Sequence, residues 1–150
     1  MMGKVGFIGH REAFGLDTAA LRSTVEELIG EGYKEFIVGT HGVFDSEALR
    51  ACKEAKERHP YIEVEVVLTS LNKLKRSEFG YNYYEDLNTK MYEIENEHFK
   101  RKIIVSNRYM IDECDVIVCY VYRSCWHSGA ALAYRYAEKT GKRIINLYKR

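Results

Sequence analysis

Proline occurs once, at Pro60, and no serine- and glycine-rich stretch or low-complexity tract divides the chain. Without a linker, its 150 residues amount to about one domain, and a single domain is the expectation rather than a multidomain machine. Cysteine is scarce, and Cys52, Cys114, Cys119 and Cys125 never fall into a C-x-x-C pair. That spacing suits neither a zinc centre nor a redox couple, so no metal is expected and the thiols read as buried groups in a reducing compartment. Nowhere do the roughly 20 apolar residues of a membrane helix run together. The apolar run near Met1 is too short for a signal peptide, so the expectation is a cytoplasmic chain with no membrane partner. Charge of one sign is missing as well. Lys and Arg number 23 against 22 Asp and Glu, a net charge of +1, which gives no overall field to draw in a nucleic-acid partner. What the chain does have is 46% hydrophobic residues and 13% aromatics, enough to bury a sizeable core.

That apolar content is patterned. Lys4 to Ile8 is a β-prone run ending in Gly9-His10-Arg11, and Leu21, Val25, Leu28 and Ile29 then fall on one helical face. The format repeats from Glu35 to Val38, which ends at Gly39-Thr40-His41-Gly42 before Phe44, Ala48, Cys52 and Ala55 take up helical spacing, with Asp45 placed to cap that helix. Ile62 to Leu68 and Asp115 to Val121 read as buried strands. A helix from about Ser128 to Thr140 stops at Gly141, before a last strand from Arg143 to Leu147. Between them, Leu87, Met91, Ile94 and His98 fit a helix while Asn88 to Glu93 also fits a short strand, and both remain open. Strands alternating with helices predict an α/β, Rossmann-like, doubly wound and mainly parallel sheet in a single domain. Ligands of such a sheet bind beyond the carboxyl ends of its strands.

The loops at those ends carry the candidate chemistry. Gly9, His10 and Arg11 pair a close backbone approach with a forked cationic donor for phosphate or carboxylate. Gly39, Thr40, His41 and Gly42 follow the second strand in the same way, with Phe44 and Asp45 opening the next helix. Trp126, Ser128, Gly129 and Ala130 follow the strongest strand, where small residues let a ligand reach the backbone and the indole could stack on a base. Arg108 and Asp112 stand four apart on an expected helix, suited to an ion pair or, for Arg108, to a ligand.

In this order, Gly9-His10-Arg11, Val38-Gly39-Thr40-His41-Gly42-Val43-Phe44-Asp45, Asn107-Arg108-Tyr109-Met110-Ile111-Asp112 and Trp126-His127-Ser128-Gly129-Ala130 resemble the SLOG superfamily, nearest its small YpsA-related proteins. The resemblance runs from Phe7 to Leu147. It implies a domain over residues 1–150 with a variable insertion around 69–97, whose strand-end loops enclose a nucleotide or nucleotide-derived small molecule, as a sensor or binding module. Tyr81-Asn82-Tyr83-Tyr84 would then lie near the pocket mouth. Related Lonely Guy phosphoribohydrolases cleave an N-glycosidic bond and carry P-G-G-x-G-T-x-x-E. This chain has Ser128 where they often have glycine and Ala133 near the glutamate position. Binding is thus favoured over turnover. The alternative is an N-glycosidic hydrolase or transferase acting on nucleoside monophosphates, with Asp45 or Asp112 as its carboxylate. No motif asks for a cofactor, and assembly into a homo-oligomer is left open.

Overall fold

In Val5-Gly6-Phe7-Ile8, alternate side chains must leave opposite faces of a strand, and both faces are covered. A computed structural model describes residues 3–68, 88–91, 99–122 and 128–148. Val5 and Phe7 of strand β1 (Lys4–Gly9) join one apolar cluster, whereas Ile8 joins the other. The first cluster is closed by helices α1 (Thr18–Glu31) and α2 (Val43–Arg58), through Leu21, Val25, Leu28, Phe44, Ala48 and Cys52. Helices α3 (Phe99–Glu113) and α4 (Gly129–Lys139) close the second through Met110, Ile111, Ala130, Ala133 and Ala137. This is the doubly wound arrangement that the alternating pattern implies.

Six parallel strands lie in the order β4-β3-β2-β1-β5-β6, where β2 is Glu35–Val38, β3 Glu63–Leu68, β4 Asn88–Met91, β5 Cys114–Tyr120 and β6 Arg143–Asn146. From β1 the chain winds outward to β2 and β3, then returns to place β5 on the other flank of β1. The direction of winding therefore reverses between β1 and β5, and the loops leaving these two strands part to form a crevice.

Local chemistry explains the element ends. Asp17 accepts the Ala20 N–H at 3.1 Å to cap α1, and Gly32 closes the helix at φ 109°. Ser128 caps α4 by accepting the Ala131 N–H at 3.0 Å, and Gly141 follows its end at φ 76°. One expected cap is displaced. Helix α2 begins two residues before Asp45, with Gly42 as its cap, so Asp45 is a first-turn residue reaching back to accept the His41 N–H at 2.7 Å. A carboxylate on the third helical residue can bond an amide preceding the helix, which spares the cap position a side-chain oxygen.

In the middle of the chain, Asn88–Met91 is a strand paired with β3; Leu87, Ile94, His98 and Tyr81 to Tyr84 lie outside the described residues, as does Cys125. Cys52, Cys114 and Cys119 are buried and take part in no disulfide. Burial pushes the Cys114 thiol up to about 12 and raises Cys52 further. Among the described residues no helix is long and apolar enough to cross a membrane, and no cluster of His, Cys, Asp or Glu could hold a metal.

Candidate functional site

The end of β1 comes against the first turn of α2 because Gly9 has no side chain. A Cβ on Gly9 would lie 2.6 Å from Phe44 Cβ and closer still to its ring. Two residues on, the Arg11 carbonyl accepts the Val43 N–H at 2.8 Å, and Gly42 packs on the Arg11 backbone, with φ 154° and only 2.8 Å between a Cβ built there and the Arg11 oxygen. The two glycines thus let the β1 loop and the α2 start meet backbone to backbone.

A second connection ties the β1 loop to the end of β5. The His10 N–H donates to the Tyr120 carbonyl at 3.2 Å, and the Tyr122 N–H donates to His10 Nε2 at 2.8 Å. The imidazole also stacks on the Tyr122 ring, centroids 4.2 Å apart. Accepting through Nε2 requires the neutral ring, and burial lowers the His10 pKa below its ordinary value. The tyrosines hold the loop further along: Tyr120 Oη donates to the Phe14 carbonyl and Tyr122 Oη to that of Glu12.

Between these connections lies a cleft of about 460 Å³, within the size range of small-molecule sites. Ile8, Gly9 and Arg11 contribute from β1 and its loop, and His41, Gly42 and Asp45 from the start of α2. Ile103, Ile104 and Asn107 of α3 form a third wall, and Ser128, Gly129, Ala130 and Leu132 at the start of α4 a fourth. Two helix N-termini meet in this space, and they differ electrically. That of α2 has Asp45 in its first turn, its carboxylate on the His41 amide. That of α4 has no acidic residue in its first turn, and the N–H groups of Gly129 and Ala130 lie beyond the reach of intrahelical carbonyls. The Arg11 side chain is exposed and makes no hydrogen bond or ion pair among the described residues. The lining therefore includes a cation, a helix N-terminus without an acidic side chain, and a carboxylate.

The sequence-derived site residues divide accordingly. Gly9, Arg11, His41, Gly42, Asp45, Ser128, Gly129 and Ala130 line the cleft. Gly39, Thr40, Phe44 and His10 stand behind it. A Cβ on Gly39 would come 3.0 Å from Asp45 Oδ2, Thr40 Oγ1 donates to the Val67 carbonyl at 3.3 Å, and Phe44 is fully buried. Arg108 and Asp112 face α4 instead. The Arg108 guanidinium carbon lies 5.1 Å from the Tyr136 ring centroid, and Tyr136 Oη donates to Asp112 Oδ1 at 2.6 Å, so the two charges meet through a tyrosine. That hydrogen bond raises the Tyr136 pKa. Trp126 lies outside the described residues. Sequence reasoning passed over Ile8, Ile103, Ile104, Asn107 and Leu132. The helical phase of α3 could have found Asn107, because buried Ser106, Met110 and Ile111 mark the sheet-facing side and Ile103, Ile104 and Asn107 share a neighbouring one.

No protein-family model and no curated protein matches the chain. Among solved structures, DNA processing protein A from Streptococcus pneumoniae is similar, with a TM-score of 0.69, 15% identity, and coverage of 95% of this chain and 49% of that one. The chain thus spans about half the length of that protein. The likeness shows the fold, a Rossmann-like α/β domain. A probable mandelate racemase from Alicyclobacillus acidocaldarius covers 95% of this chain and 41% of its own at 14% identity, but its TM-score of 0.34 carries no argument.

Proposed function

We propose that the cleft between β1 and β5 binds a phosphorylated nucleoside, as a ligand-binding module, with the phosphate at Arg11 and the first turn of α4. The observation that carries this reading is the Arg11 guanidinium, without a protein partner among the described residues, lining the same cleft as a helix N-terminus that has no acidic side chain of its own. Both features favour an anion, and the forked guanidinium suits phosphate in particular. Asp45 disfavours a second anion at the α2 end and offers an acceptor for sugar hydroxyls. A nucleic-acid ligand, suggested by the name of the DNA processing protein, would call for a row of cations, and Arg11 is the single Lys or Arg in the described lining.

Titration calorimetry with nucleoside 5′-monophosphates and ribose 5-phosphate tests the reading. Arg11→Ala should weaken binding at least about tenfold, since charge-assisted bonds contribute roughly 1.5 to 3 kcal/mol, and leave the melting temperature unchanged because the side chain is exposed. Equal affinity of the variant, or no binding of any of these compounds, contradicts it. Asp45 on the cleft wall also supports a hydrolase reading, which the same samples check: free base released by wild type and not by Asp45→Asn would establish turnover.

A further inference from the structure

Resting on the reading of the cleft as a phosphorylated-nucleoside site, we infer that Asn107 determines which base is accepted and that Ile103, Ile104 and Leu132 form the slot that holds it. Helix α3 spans the cleft from one helix start to the other. At its upper turn, Ile103 Cγ2 is 3.9 Å from where a Cβ on Gly129 would sit, so it packs beside the start of α4. Further along, Met110 Sδ is 3.7 Å from the corresponding position on Gly39, where Asp45 Oδ2 is also found. Asn107 stands one turn from each, on the wall between the anion-favouring start of α4 and the acidic start of α2.

Its amide is half-buried and makes no hydrogen bond among the described residues, whereas Ser128, also in the described lining, already caps α4. A half-buried amide without a partner is costly unless a ligand or solvent completes it. Beside it the wall is aliphatic. Ile103 and Ile104 are partly exposed on the cleft side, and Leu132 is 40% exposed across from them. Sugar hydroxyls and phosphate oxygens against these side chains would lose water without gaining partners. A planar heterocycle buries its faces there and presents donors and acceptors at its rim, which an amide, with a donor and an acceptor side by side, can read in pairs. No Phe, Tyr or Trp belongs to the described lining, so beside Asn107 the base is held by branched aliphatic side chains and distinguished at its edge.

The test compares wild type, Asn107→Leu and Asn107→Asp by calorimetry against the four common nucleoside 5′-monophosphates and ribose 5-phosphate, with a thermal melt to establish folding. Wild type should prefer one monophosphate over the others and over ribose 5-phosphate by about tenfold or more. Asn107→Leu should lose that preference while keeping its ribose 5-phosphate affinity within about twofold, since the polar end is untouched. Asn107→Asp, which can only accept, should shift the preference toward a base presenting donors. If Asn107→Leu retains the wild-type ranking, or weakens ribose 5-phosphate as much as the monophosphates, the assignment of Asn107 is overturned while the phosphate site stands. If wild type binds none of these compounds, the functional reading fails and this inference with it. A variant that melts without a folded baseline leaves Asn107→Asp, the closest in shape, to decide by its altered ranking or by the lack of one.

Discussion

Gly9 sits where a methyl group would collide with Phe44, a fully buried ring in the first turn of α2. Gly9→Ala therefore overpacks the point at which strand, loop and helix converge, and should destabilise the protein by about 1 to 3 kcal/mol. Phe44→Leu in the same chain should recover part of that loss by giving the methyl room. Calorimetric unfolding of wild type and the two variants checks this, and an unshifted transition for Gly9→Ala would mean the strand end does not press on the helix. At this scale the sequence was only partly readable. The glycines at 9, 39 and 42 and the small residues at 128–130 announced close backbone approach, since few other reasons place such residues after an apolar run. Which side chain of a helix turns to the ligand depends on its phase and on the neighbour it meets. Thus Asn107 lines the cleft while Arg108, next to it, lies over Tyr136, a contact between residues 28 apart that no local pattern encodes.

His10 links two elements that are 110 residues apart in the chain, and the link is pH-sensitive. In the native state its Nε2 accepts the Tyr122 N–H, and burial holds its pKa below the ordinary 6.5. Between 6.5 and that lowered value the unfolded chain binds a proton at this position and the native chain does not. Stability therefore rises with pH across the window and is lost as pH falls through it. Gln in place of His10 keeps an acceptor and removes the titration, so His10→Gln should melt near wild type at pH 7.5 and fall less steeply between pH 6.5 and 5. Parallel melting curves of the two proteins against pH would refute the role. The elements themselves were legible wherever apolar periodicity and caps agreed, as in α1 with Asp17 and Gly32. They were less so where a tertiary contact moved a boundary. Helix α2 starts at Val43 because its N–H meets the Arg11 carbonyl, and Asn88–Met91 is a strand because β3 offers a parallel partner, which its mixed local pattern could not reveal.

For the whole molecule, the order β4-β3-β2-β1-β5-β6 matters more than any single residue. It brings loops from residues 9–11, 39–45 and 128–130, far apart in the chain, to one edge of the sheet, and opens the crevice where the winding reverses. This much followed from strand and helix alternation, because parallel strands with covering helices leave few topologies. Net charge of +1 is equally a property of the whole, and in the proposed reading it leaves anion binding to local groups such as Arg11 and the α4 start. The central claim is that a phosphorylated nucleoside occupies this crevice. It is tested most directly by following backbone and side-chain amides of the ¹⁵N-labelled protein by NMR during titration with a nucleoside 5′-monophosphate. A second, shallower groove lies between α1 and α2, lined by Arg22, Glu26, Glu54 and Arg58. Saturable shifts at Gly9, Arg11, Gly129, Ala130 and the Asn107 side chain, with that groove unmoved, are the predicted result; an unchanged spectrum, or shifts centred on that groove, would contradict the account.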